Sequence, residues 1–190
     1  MIRIAIVDPQ PAVRAGLSML LRTEPGLMPV GAATGFDDGL ELVARLRPDI
    51  VLAEHHLPEG DGVALCRRLS ALPRPPQVIL HTAEPAPELA LLARVASADG
   101  LVDKLADPEE LFEAIRLVSR GTRALPPLDA REMDAAAHLV DPEDLPLLAM
   151  LADGTAAGEA ADTLHLDRRR AARRIERMLG RLRAGTHAAA

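Results

Sequence analysis

Four residues that can do chemistry stand at the ends of short apolar runs: Asp8, Glu54, Thr82 and Lys104. Lys104 is the only lysine, the other 21 of the 22 basic side chains being arginine. Where nearly every cationic position has gone to Arg, one retained amine marks a place that wants a compact point charge and not a planar fork. The chemistry available to such a set is charge pairing between two carboxylates and an ammonium, with a hydroxyl beside them.

Bringing these residues together requires a particular fold. Residues 2–7 (Ile-Arg-Ile-Ala-Ile-Val) are largely β-branched and end at Asp8. Further strands are expected over 27–33, 49–53 (ending at Glu54), 77–81 (ending at Thr82) and 99–103 (ending at Lys104). Helical spacing of apolar residues separates them: from Pro11, over 36–46, 63–72, 87–96 and 108–119. Short, mostly apolar strands alternating with helices predict an α/β fold, a five-stranded parallel doubly wound sheet covered on both faces. Ligands of such sheets bind beyond the carboxyl ends of the strands, where all four residues fall.

The segment Pro48-Asp49-Ile50-Val51-Leu52-Ala53-Glu54-His55-His56-Leu57-Pro58-Glu59-Gly60-Asp61-Gly62 resembles the signature of response-regulator receiver domains. The resemblance covers residues 1–120 and implies the flavodoxin-like fold. It places Glu54 at the phosphoacceptor position, Asp8 in the acidic metal-binding pair, Thr82 as the switch hydroxyl and Lys104 as the phosphate-contacting amine. Three departures accompany it. Pro9 replaces the second acid of the pair, which weakens or abolishes Mg²⁺ binding because that ion needs near-octahedral oxygen ligation. Glu54 replaces Asp and reaches roughly 1.5 Å further, which misplaces in-line attack. Leu101 replaces the aromatic switch residue. A receiver that is not phosphorylated is expected, with Glu54 paired to Lys104. The pair either imitates an acyl phosphate or simply holds the fold. A phosphorylation-driven switch using Asp8 is the alternative.

After a linker over 121–140, containing Pro126-Pro127 and an Ala-rich stretch, helices are expected over 142–153, 156–164 and 167–183, with Asp167 as N-cap of the last. Residues 141–184 resemble the LuxR/NarL/FixJ-type helix-turn-helix through Asp141-Pro142-Glu143-Asp144, Asp153-Gly154, Glu159-Ala160-Ala161-Asp162-Thr163-Leu164, Met178 and Leu182. Arg170-Ala171 and Gly180 depart from its pattern. The resemblance implies a small all-α domain binding double-stranded DNA, followed by a disordered tail over 185–190. Arg168, Arg169, Arg170, Arg173, Arg174 and Arg177 are the candidate DNA contacts; six arginines cannot all face one groove, and Arg169, Arg170 and Arg173 are expected to do so.

The charge distribution agrees. Residues 167–183 hold eight arginines against Asp167 and Glu176, a net +6, on a body of net −12. A basic segment on an acidic body points to an anionic partner. The single cysteine, Cys66, excludes an intrachain disulfide and fits a reducing cytoplasm. It is expected to be a small buried hydrophobe, and the adjacent His55 and His56 are not expected to hold a metal. No signal peptide and no membrane span is expected, nor is an enzyme or a resident cofactor. The reading is an orphan-like DNA-binding transcription regulator acting as a homodimer, its input a small ligand, a partner protein or protein level. A protein-interaction module, with the acidic receiver docking a partner, is the other class considered.

Overall fold

A computed structural model describes residues 1–188 apart from residues 84 and 86. Five parallel strands, β1 (Ile2–Val7), β2 (Leu27–Ala33), β3 (Ile50–Ala53), β6 (Gln77–Thr82) and β7 (Gly100–Asp103), form one sheet in the order β2-β1-β3-β6-β7. A hairpin of two-residue strands, β4 (His56–Leu57) and β5 (Gly60–Asp61), stands apart from it. The helices between are α1 (Pro11–Thr23), α2 (Phe36–Leu46), α3 (Gly62–Ser70), α4 (Pro87–Val95) and α5 (Pro108–Ser119). The C-terminal half is α6 (Ala130–Leu139), a 3₁₀ turn (Pro142–Asp144), α7 (Leu145–Asp153), α8 (Ala157–Thr163) and α9 (Arg168–Ala188).

Local chemistry explains the boundaries. Pro11 opens α1, where a missing N–H costs nothing. The Asp61 carboxylate accepts from the Ala64 amide and starts α3. Asp129 and Glu132 form a reciprocal capping box that sets α6 inside the expected linker. Gly154, at φ 101°, ends α7 in a conformation that costs glycine little. Asp167 caps α9 through the Arg170 amide, 2.8 Å away, as its sequence position predicted. The helix then runs to Ala188, into residues expected to be a disordered tail; Leu139 packs where a side chain at Gly185 would sit. Residues 189–190 lie outside the described residues.

Chain contacts divide the molecule into two units, residues 1–85 with 98–125, and residues 86–97 with 126–190. The first boundary falls beyond the expected 120 because Ala124 pairs alongside β7: its amide donates to Asp99 and its carbonyl accepts from Leu101. By its contacts α4 groups with α6, α7 and α9 in the second unit, although in chain order it lies between β6 and β7. Within that unit the Arg94 guanidinium donates to the Ala152 and Pro126 carbonyls, at 3.2 and 2.7 Å.

In the first unit every residue of β3 is buried, as are Ile4 to Val7 of β1. One sheet face packs Ile4, Ile6, Ile50, Leu52 and Ile79 against Leu17 and Leu21 of α1 and Leu111, Phe112 and Ile115 of α5. Each fully buried aliphatic side chain contributes about 1.5–3 kcal/mol. This core holds the strand ends rigidly enough to aim the polar residues that follow them.

Candidate functional site: a lysine bridge and an arginine helix

Asp8, Glu54 and Thr82 leave β1, β3 and β6 at adjacent carboxyl ends and are 2%, 5% and 1% exposed. Lys104 follows β7, and its amide donates to the Thr82 carbonyl at 2.9 Å. Its Nζ lies 2.6 Å from Asp8 Oδ2 and 2.5 Å from Glu54 Oε2. One ammonium therefore serves both carboxylates. The other oxygens are also engaged: Asp8 Oδ1 accepts from the Gln10 amide at 2.8 Å, and Glu54 Oε1 accepts from the His55 and His56 amides at 2.5 and 3.1 Å. Gly62 fits beneath the loop because a Cβ there would come within 2.6 Å of the Glu54 carbonyl oxygen.

The electrostatics follow from this geometry. Burial works to raise the Glu54 pKa, but hydrogen bonds from Lys104, Thr82 and the His56 amide, with the Lys104 charge, outweigh it and hold the carboxyl below its ordinary range. Burial likewise opposes the charged form of Lys104, and its bonds to Asp8 and Glu54 carry its pKa above the ordinary value. His81, buried on β6, is pushed down to about 4, chiefly by desolvation and then by the Lys104 charge, so its imidazole is neutral near pH 7. Burial pushes the Cys66 thiol far up, in keeping with a small hydrophobe. The His55 and His56 rings lie 4.7 Å apart between centroids, tilted at 57° to each other.

A divalent cation does not fit this donor set. Pro9 supplies no side-chain oxygen, all four carboxylate oxygens already accept hydrogen bonds, and the Lys104 ammonium stands where the two negative charges converge. Leu101 is partly exposed at β7 and carries no aromatic ring.

The second unit inverts the arrangement. Asp144, 1% exposed, accepts from Arg174 Nε through Oδ1 and from Arg177 Nη2 through Oδ2, the latter at 3.0 Å. Arg177 also reaches Glu143 and Asp141, at 3.2 and 3.4 Å, and Arg181 bonds Asp141 at 2.5 Å. Asp141, Glu143 and Asp144 have oxygens close enough for a metal, but three guanidinium groups neutralise them. Of the six candidate DNA contacts, Arg174 and Arg177 are thus turned to the start of α7. Asp144 is the residue that sequence reasoning missed; it had read only as part of a helix start. Arg168, Arg169, Arg170 and Arg173 are exposed, and their guanidiniums have no acidic partner among the described residues.

The chain resembles known proteins in both sequence and fold. Residues 4–116 match the response regulator receiver domain model, and the chain belongs to that family. The DNA-binding transcriptional activator DevR/DosR of Mycobacterium tuberculosis is 30% identical over 193 residues, covering 96% of this chain and 88% of its own length. The nitrate/nitrite response regulator NarL of Escherichia coli K12 is 26% identical over 122 residues, covering 64% of this chain and 56% of its own. A LuxR-family response regulator from Aurantimonas is structurally similar, with a TM-score of 0.64 at 32% identity over 67% of this chain and 91% of that one. Methylesterases also match, but the chain spans only 38% of the one from Methanosarcina acetivorans. Among the described residues no helix is long and apolar enough to cross a membrane.

Proposed function

We propose that this chain is a cytoplasmic, homodimeric transcription regulator that places the start of α9 in the DNA major groove, and that its receiver works without aspartyl phosphate. The observation that carries the first half is the exposed run of Arg168, Arg169, Arg170 and Arg173 opening a capped helix in which Arg174, Arg177 and Arg181 are already paired to acids. A capped helix presenting unpaired guanidiniums can offer bidentate donors to guanine and cations to phosphate. DevR/DosR, which matches along nearly the whole chain, is named as a DNA-binding activator. A single small module grips DNA weakly, and two half-sites read by a dimer reinforce one another.

The second half rests on Lys104. Its amine holds both carboxylates in the geometry described above, and Thr82 contributes a hydrogen bond to the same Glu54. The charge pattern a phosphoryl group would have to create is already balanced by a fixed cation. The input is therefore a ligand, a partner protein or protein abundance. The test is a genomic pull-down with the full chain and no phosphodonor. Enrichment of a two-fold symmetric site that weakens steeply with salt is the expected result. Recovery without a shared site, or binding indifferent to salt, would refute the reading.

A further inference from the structure

The amino ends of the strands, away from Lys104, border a cleft of about 960 Å³. It lies wholly within the first unit. Its walls are the start of β1, the turn from α2 to β3, the segment Leu72-Pro73-Arg74-Pro75-Pro76 that leads into β6, and the end of α5. A volume of this order is that of pockets that hold small organic molecules. Three prolines make the 72–76 wall stiff and poor in donors, since each fixes φ and lacks an N–H. Leu72 and Met1, 38% and 85% exposed, add unburied apolar surface beside it.

The polar side chains of the lining sort into engaged and free. Gln77 Nε2 donates to the Val118 carbonyl, and Ser119 Oγ donates to the Arg116 carbonyl at 2.8 Å. The Asp49 carboxylate accepts from the Arg3 amide at 2.7 Å. The guanidiniums of Arg47 and Arg74 line the same cleft, are exposed, and have no acidic partner among the described residues. Arg47 stands there at a conformational cost. It caps α2 at φ 45°, a left-handed conformation that suits glycine better than any side chain. Its amide donates to the Val43 carbonyl at 2.9 Å, and Arg3 donates to the Arg47 and Leu46 carbonyls at 2.9 and 2.7 Å, so the anchor is firm. Two free cations facing a stiff apolar wall suit a carboxylate carried on an apolar body. The guanidinium fork matches the carboxylate, and the prolines receive the hydrocarbon while giving up little freedom of their own. We infer that this cleft binds an amphipathic organic acid, and that such an acid is the ligand input of the regulator. The second clause rests on the regulatory reading above; the first does not.

Isothermal titration of the full chain tests the site. Octanoate and naphthoate are the probes, octanol is the body without the charge, and acetate is the charge without the body. At least one of the two probes should bind, about tenfold or more tightly than octanol or acetate. Arg47→Gln and Arg74→Gln should each weaken that binding about tenfold, the loss of one charge-assisted contact. Arg47→Gly is the folding control: it should melt no lower than wild type, because glycine accepts this φ readily, yet bind as weakly as Arg47→Gln. The site is overturned if neither probe binds, if octanol binds as tightly, or if both glutamine variants bind like wild type. Repeating the genomic pull-down with the bound acid separates the two clauses. Altered recovery of the symmetric DNA site is expected. Unchanged recovery with the acid bound upholds the cleft and overturns its role as input. An acid that binds a chain recovering no shared DNA site refutes the regulatory reading alone.

Discussion

The two units solve one electrostatic problem with opposite stoichiometry. In the first, one cation, Lys104, is shared by two buried acids, Asp8 and Glu54. In the second, one buried acid, Asp144, is shared by two cations, Arg174 and Arg177. The first cluster keeps a net negative charge and sits where strand ends from across the sheet converge. The second is balanced by Asp141, Glu143 and Arg181 and is open to solvent on the arginine side, Arg177 being 43% exposed. The difference teaches which charge is irreplaceable. In the first unit it is the lone amine, and in the second the one buried carboxylate, Asp144.

Removing the shared group is the largest expected effect. Lys104→Met leaves two buried carboxylates facing each other without a cation, and should cost about 3–5 kcal/mol of unfolding free energy in urea. A loss under about 1 kcal/mol would show that water already screens the pair. The pH dependence should change with it. In wild type the lowered Glu54 pKa gives stability that is present above its ordinary value of 4.5 and lost as pH falls through the folded-state value. The raised Lys104 pKa gives stability that is present below its ordinary 10.5 and lost as pH rises through its folded value. Between these limits the bridge is insensitive to pH. Without the amine, the variant should instead gain stability as the pH falls toward 4.5 and a carboxyl protonates.

Asp144→Asn tests the other side of the comparison and should cost less, about 2 kcal/mol, because the orphaned Arg177 can turn to water. The loss should appear in the helical C-terminal unit, followed by hydrogen exchange of α9 and α7. Protection unchanged in both helices would mean that Asp141 and Glu143 carry the contact by themselves. A smaller effect still, about 1 kcal/mol, is expected for Glu54→Gln. The amide oxygen can still accept from the His55 and His56 amides, and Lys104 keeps Asp8. A cost equal to that of Lys104→Met would make Glu54, and not the amine, the centre of the cluster.

Much of the first site was legible because buried parallel strands are nearly continuous apolar runs, so the polar residue that stops each run announces a strand end. Asp8, Glu54, Thr82 and Lys104 were found that way, and Glu54 pairing to Lys104 followed. That Asp8 shares the same amine did not follow, since it depends on β1 lying next to β3 in the sheet. The hairpin β4–β5 was invisible because two residues per strand carry no period. In the second unit the Asp167 cap was a local signal and was readable. The burial of Asp144 was not, because α9 pairs with it from 30 residues away. The sorting of α9 arginines into paired and open rows depends on where those acids lie. The grouping of α4 with α6, α7 and α9 is likewise tertiary; its sequence reads as any helix between two strands.

The smallest expected effect is none, and it carries the most information about Glu54. Incubation with acetyl phosphate and Mg²⁺ should leave the intact mass unchanged. Both carboxylates are held by the amine, Pro9 offers the ion no side-chain oxygen, and the longer Glu54 side chain is anchored by two backbone amides. An adduct of about 80 Da would identify a working phosphoacceptor and refute the phosphate-independent reading. A null result needs a positive counterpart, and the same physics supplies one. Pro9→Asp together with Glu54→Asp restores a second acidic side chain and shortens the reach by one methylene, while Lys104 and Thr82 stay in place. That double variant should accept the phosphoryl group and show the adduct on the shortened residue. If it does, the two substitutions account for the silence of the wild-type site. If it stays unmodified, the restriction lies in the backbone of the strand ends, and the loop pinned between Glu54 and Gly62 becomes the feature to vary.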